Sequence, residues 1–238
     1  MSTAQTKPAA TKAAGPAAQT GWRLIQASFE KSAPKLRDAP PGDLPEIAVT
    51  GRSNVGKSSL LNAFANQRGL ARVSRTPGRT QLLNFFRMQL RHPSHGSFEF
   101  RWVDLPGYGY SATPQAVRAS FGPMIEGYLQ GRTTLRGLVV LIDCRREVSD
   151  HDHALLEFMQ ARDLPVLVCA TKADKLSKHE RGLISAGIAR TLKIRPRQVL
   201  LTSADTGLGL GDIGREGGLA RELADLLKQP ADEAPPAT

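Results

Sequence analysis

Two cysteines in 238 residues are too few for a disulfide framework. Cys144 and Cys169 both sit in apolar runs, "LVVLIDC" and "PVLVCA", where they read as small buried strand residues rather than redox or metal ligands. Long apolar runs are also missing. No stretch approaches the ~18 residues needed to cross a bilayer, and the first residues lack the apolar region of a secretory signal. The expectation is a cytoplasmic protein without a membrane segment. There is no internal repeat, no coiled coil, and no Ser/His/Asp or Cys/His set. His151 and His153 come nearest to a metal pair. They lie two apart at a helix start and do not share a helical face, so they read as surface residues. Acidic balance is lacking as well: 32 Lys and Arg against 22 Asp and Glu give a net charge of +10. That excess fits a phosphate-rich partner such as RNA, or an anionic membrane surface; the competing reading is a basic but merely solvated exterior.

With 40% hydrophobic residues, the chain can bury a sizeable core. Residues 1–21 are rich in Ala, Pro, Thr and Gln without apolar period and read as a disordered tail; residues 229–238 read as a flexible, Pro-rich one. Between them, 22–228 reads as one domain. "EIAVTG" is a strand ending in glycine, and "KSSLLNAFANQ" a helix. "QLLNFFRMQL" and "SFEFRWVDL" alternate as strands around the turn "RHPSHG". "GLVVLIDC" and "PVLVCAT" are continuous apolar runs, as buried parallel strands require. "HDHALLEFMQARD" is the crossover helix between them, with Asp150 as its expected cap. "QVLLTSA" adds a strand and "REGGLARELADLLKQ" a closing helix. Strands alternating with helices predict an α/β sheet covered on both faces.

"GRSNVGKSS" fills the pattern Gly-x-x-x-x-Gly-Lys-Ser/Thr with Gly51, Gly56, Lys57 and Ser58, between a strand and a helix as the pattern demands. Glycines let backbone N–H groups wrap phosphates, and the helix N-terminus adds partial positive charge. Lys57 is the expected contact to the β- and γ-phosphates, and the Ser58 hydroxyl a Mg²⁺ ligand. "DLPG", Asp104–Gly107, follows an apolar strand. Asp104 suits a water-mediated Mg²⁺ contact and the Gly107 N–H suits a γ-phosphate; a plain turn is the alternative. "TKAD", Thr171–Asp174, carries base selection. The Asp174 carboxylate can accept both the N1–H and the N2 amine of guanine, a pair adenine lacks, while the Lys172 stem lies over the base. "SAD" after the last strand can offer backbone to the guanine O6.

In this order the motifs resemble a translation-factor-class GTPase. "GRSNVGKSSLLNA", "TPGRTQLLNFF", "DLPGYGY" and "TKADKL" resemble one family in particular, the EngB (YihA/YsxC) GTP-binding proteins of bacteria, over about residues 22–228. The resemblance implies a single Ras-like P-loop GTPase domain with a mixed six-stranded sheet, GTP binding, slow hydrolysis and one Mg²⁺. It implies a phosphate-binding set of Gly51, Arg52, Ser53, Asn54, Val55, Gly56, Lys57, Ser58, Gly78, Arg79, Thr80, Gln81, Leu82, Asp104, Leu105, Pro106 and Gly107. Its guanine set is Thr171, Lys172, Ala173, Asp174, Thr202, Ser203 and Ala204. Thr80, in switch I, is implied as the second protein ligand of Mg²⁺ beside Ser58. The family is associated with assembly of the large (50S) ribosomal subunit and with normal cell division and septation.

One position departs from Ras-type catalysis. The glutamine that orients the attacking water there is replaced by Tyr108, which predicts a low intrinsic rate. Asn54 then has two readings. It ligates a K⁺ ion that stabilises developing charge, as in several related GTPases, or it serves only the loop. The catalytic set is thus Lys57, Thr80 and Asn54. Phe121 stands where tryptophan is expected, and "GLGLGDIGREGGL" is unusually glycine-rich.

Basic residues crowd two regions: Arg68, Arg72, Arg75, Arg79, Arg87 and Arg91, then Arg190, Lys193, Arg195 and Arg197. On a nucleotide-dependent loop such residues can report the bound state to ribosomal RNA. Tyr108 and Tyr110 can stack at that contact or pack in the switch core. A small-molecule kinase is disfavoured, because no arginine-bearing lid segment appears. The alternative is a GTP-regulated septum scaffold. A monomer is expected, with GTP or GDP and the large subunit as partners.

Overall fold

Five of the apolar runs become strands whose C-terminal ends meet along one edge. The computed structural model describes residues 21–71, 82–108, 122–211 and 218–228. The strands are β1 (Arg23–Ala33), β2 (Glu46–Gly51), β3 (Leu83–His92), β4 (Gly96–Asp104), β5 (Leu135–Asp143), β6 (Val166–Thr171) and β7 (Val199–Leu201). The helices are α1 (Lys57–Phe64), α2 (Gly122–Gly131), α3 (Asp150–Gln160), α4 (Lys178–Thr191) and α5 (Leu219–Lys228). The sheet runs β1-β3-β4-β2-β5-β6-β7. β1, β3 and β4 pair antiparallel; β4, β2, β5, β6 and β7 are parallel.

β2 and β6 are buried along their whole length, as the continuous apolar runs require of strands covered on both sides. One core layer packs Tyr128 of α2, Leu155 of α3 and Ile188 of α4 on one face of the sheet. The other packs Leu60 of α1 and Leu223 of α5 against Ile47, Phe100 and Trp102. The two-faced α/β sheet is as expected.

The sheet has seven strands, not six. The extra one is β1, whose "RLIQASFEKSA" is mostly exposed and does not alternate cleanly. Two register shifts against β3 break its period, so its sequence carries no clear strand signal. Polar anchors hold it instead. Buried Arg101 of β4 donates to both carboxylate oxygens of Glu30, at 2.8 and 3.1 Å, and to Asp43 at 2.6 Å. A second buried cluster fixes the start of β2: Glu46, fully buried, accepts from the Tyr128 hydroxyl at 2.8 Å and from Arg132 Nε at 2.9 Å.

The cap of α3 is Ser149, not Asp150. The Ser149 hydroxyl accepts from the Asp152 amide, and Asp152 Oδ2 accepts from the Ser149 amide at 2.8 Å. This reciprocal box satisfies two orphan donors at once, which Asp150 inside the first turn cannot do. His151 is also not a surface residue: it is buried, and its ring stacks on that of Tyr108 at 5.9 Å. The tails, Arg72, Arg75, Tyr110, Phe121 and residues 212–217 of the last glycine-rich segment lie outside the described residues.

Candidate functional site

β2, β4 and β6 end at Gly51, Asp104 and Thr171, and β5 between them at Asp143, so the phosphate loop, "DLPG" and "TKAD" leave the same sheet edge. Ligand sites of open α/β sheets lie outside the carboxyl ends of the strands.

The loop from Gly51 to Ser58 turns tightly. A Cβ on Gly51 would stand 2.7 Å from the Leu141 carbonyl oxygen, so no other residue fits. Gly56 has φ 110°, in the left-handed region that favours glycine. Asn54 is left-handed as well, φ 63°, with its residue exposed. Val55 is buried, and its amide closes a turn onto the Arg52 carbonyl at 3.0 Å. The Leu60 amide donates to the Gly56 carbonyl, so the amides before it form the open N-terminus of α1. Lys57 and Ser58 are half-buried there.

"DLPG" is stitched to this loop. The Tyr108 amide donates to the Gly51 carbonyl at 3.3 Å, and the Ser53 amide to the Tyr108 carbonyl at 3.0 Å. Arg52 and Tyr108 thus form a short parallel bridge. A Cβ on Gly107 would lie 3.1 Å from Lys57 Nζ, so the ammonium rests against this glycine. Leu105 is buried, and the Pro106 carbonyl accepts from Thr50 at 3.2 Å. Asp104 Oδ1 is buried, and no described group donates to it. Burial pushes this carboxyl up to about 6, against the opposing pull of the Lys57 ammonium.

"TKAD" is tied to the same loop from the other side. The Thr171 hydroxyl donates to the Val55 carbonyl at 2.9 Å, and Lys172 Nζ to the Asn54 carbonyl at 3.3 Å. Lys172 is itself left-handed, φ 62°; two strained residues are thus joined by one hydrogen bond. The Ala173 amide donates to the Thr202 carbonyl, which locks "TKAD" onto "SAD". Buried Ser203 donates its hydroxyl to Asp174 Oδ1 at 2.6 Å, and Lys175 pairs with Oδ2 at 2.8 Å. Lys175 first, then Ser203, hold the Asp174 carboxyl at about 2, so it is an anion and an acceptor at neutral pH. An open recess of about 460 Å³ lies between these loops, walled by Gly56, Ser59, Lys172, Asp174 and Ala204.

Gly51, Arg52, Ser53, Asn54, Val55, Gly56, Lys57, Ser58, Asp104, Gly107, Thr171, Lys172, Asp174 and Ser203 are therefore gathered at one edge. Leu82 is described just before β3, whereas Gly78, Arg79, Thr80 and Gln81 lie outside the described residues. Sequence reading passed over Asp143. Its Oδ2 accepts from Lys172 at 2.9 Å and from Arg145 at 2.8 Å. Burial alone would raise its pKa; the bonds from Arg145 and Lys172 hold it well below the usual carboxylate range. The signal was an acidic residue closing the buried run "LVVLID". Asp152 was also passed over, since only the fold brings it to Tyr108. Of the basic group, Arg87 is already paired with Glu99 on the sheet.

Residues 46–172 match the family described as 50S ribosome-binding GTPase. A probable GTP-binding protein EngB of Geobacter sulfurreducens is 46% identical over 181 residues, 76% of this chain and 84% of that one. Its counterpart in Geotalea daltonii is 43% identical over 209 residues, covering 88% and 90%. Among solved structures, a probable GTP-binding protein engB superposes with TM-score 0.54 at 18% identity over 76% of this chain and 98% of that one. Aquifex aeolicus Era bound to GDP.AlF4⁻ gives 0.59 at 20% identity, covering 78% and 57%; these two show the fold. With the phosphate loop and "TKAD" hydrogen-bonded together at one sheet edge, the chain belongs to the EngB family of GTP-binding proteins and is a GTPase.

Proposed function

We propose that this GTPase is a slow, Mg²⁺-dependent switch acting in assembly of the large ribosomal subunit, and that normal cell division and septation depend on it. The observation that carries the nucleotide part is the pair of bonds from Thr171 and Lys172 to the Val55 and Asn54 carbonyls. A base held by Asp174 is thereby in fixed register with phosphates held at Gly56, Lys57 and Ser58. The amides opening α1 and the Lys57 ammonium hold the β- and γ-phosphates, and the Gly107 N–H meets the γ-phosphate. The unpartnered Asp104 Oδ1 fits a metal-bound water, so Ser58 and Thr80 are the proposed direct Mg²⁺ ligands with Asp104 behind them. Held there, Mg²⁺ would neutralise charge that develops on the phosphates.

Hydrolysis is slow in this reading because the Tyr108 ring is in the core, 2% exposed, and has no carboxamide to orient water. Asn54, at the exposed lip of the loop, is the proposed K⁺ ligand; equal turnover in KCl and NaCl removes it from that role. Ribosomal action is supported by the net charge of +10 and by the description of the matching family. The protein is expected to act in the cytoplasm as a monomer; among the described residues no helix is long and apolar enough to cross a membrane.

The test is co-sedimentation with ribosomal subunits in GTP, GDP and a non-hydrolysable analogue. Nucleotide-dependent association with large-subunit particles that falls steeply with salt is the expected result. Nucleotide-independent association, or normal 50S profiles in depleted cells, favours a septum scaffold instead.

A further inference from the structure

Tyr108 is held from three directions. Its backbone bridges the phosphate loop, through Gly51 and Ser53. Its ring packs in the core and stacks on His151, with planes 10° apart. Its hydroxyl donates to Asp152 Oδ1 at 2.5 Å. The other oxygen of Asp152 accepts from the Ser149 amide at 2.8 Å and the Ser149 hydroxyl at 2.7 Å. The carboxylate therefore cannot swing without breaking the cap of α3. Burial, then the Asp152 charge, push the Tyr108 phenol well above its usual range, so it keeps its proton and stays a donor.

The residue before Tyr108 is Gly107, which rests against Lys57 Nζ. Gly107 has no side chain to fix it. Its position is inherited from the anchored tyrosine that follows.

We infer that Asp152 is a positioning residue for the third phosphate: through Tyr108 it holds the Gly107 amide at the phosphate loop before nucleotide arrives, and so raises the affinity for GTP relative to that for GDP. This rests on the assignment of Gly107 to the γ-phosphate. The physical reason is preorganisation. A donor already in place costs no ordering entropy when the phosphate binds. GDP has no γ-phosphate and gains nothing from the anchor.

The experiment measures affinity for GDP and for a non-hydrolysable GTP analogue, by calorimetry with Mg²⁺, in the full chain. Tyr108→Phe keeps the ring and removes only the hydroxyl. It is expected to weaken the GTP analogue about tenfold relative to GDP, the scale of one buried hydrogen bond lost with its acceptor stranded. Asp152→Asn should do the same, and the double variant no more than either alone, as expected of two groups in one interaction. Ser177→Ala loses the comparable cap of α4, away from Tyr108, so its GTP to GDP ratio should match wild type. An unchanged ratio in Tyr108→Phe overturns the inference, as does an equal loss for both nucleotides or a ratio shifted equally by Ser177→Ala. If wild type itself binds the analogue and GDP no better than adenine nucleotides, the failure lies in the nucleotide site and not in the anchor.

Discussion

At Asp104 a carboxylate oxygen is buried with no partner among the described residues, whereas buried Glu46, Arg101, Asp143 and Asp152 are all paired. A folded pKa of about 6 against 3.8 means the folded state takes up this proton first. Stability of the nucleotide- and metal-free protein therefore rises as pH falls through about 6 and levels off near 3.8. Asp104→Asn is expected to stabilise that form by on the order of 3 kcal/mol at pH 8. The gain should vanish toward pH 4, which thermal unfolding across pH will show, and Mg²⁺-supported GTP binding should weaken in the same variant. Asp174 is shifted the other way, to about 2, so its ionised form persists through the acid range in which Asp104 titrates. Asp174→Asn exchanges an acceptor pair for one acceptor and one donor. It should lose guanine nucleotides by on the order of 10²-fold and gain xanthine nucleotides, which present a carbonyl at C2. Competition binding measures both.

Among the elements, α3 does more than connect β5 to β6. Its capping box supplies the carboxylate that meets Tyr108, so one residue serves helix start and phosphate loop together. Ser149→Ala removes one side of the box and should cost about 1 kcal/mol of stability, read from urea denaturation. The α4 box of Ser177 and Glu180 is built the same way, but it serves only its own helix. β1 is the opposite case: an element made by its neighbours, pinned where Glu30 meets Arg101.

For the whole molecule, the parallel half of the sheet carries the site and the antiparallel half widens the support. The joint between them includes Glu46, which is fully buried and paired with Arg132. Arg132→Met leaves a buried carboxylate without its cation and is expected to cost about 3 kcal/mol, seen as a lower urea midpoint. Adding Glu46→Gln should recover part of the loss. Because Glu46 opens β2 and the phosphate loop leaves the other end of that strand, the same variant should bind nucleotide more weakly near its melting range and normally well below it.

The sequence alone determined the parallel strands and the phosphate, "DLPG" and "TKAD" loops. Each depends on local rules: apolar runs of strand length, glycine where a Cβ cannot fit, a carboxylate with the acceptor geometry for guanine. It did not reveal β1, the Ser149 cap, the burial of His151, or the partners Asp143 and Asp152. Those depend on groups far apart in the chain, such as Tyr108 and Asp152, 44 residues apart, or Arg101 and Glu30, 71 apart. Only the folded chain brings such groups within hydrogen-bond distance. Tertiary structure therefore decided how the loops are held, because a hydrogen bond between distant residues leaves no period or spacing in the sequence.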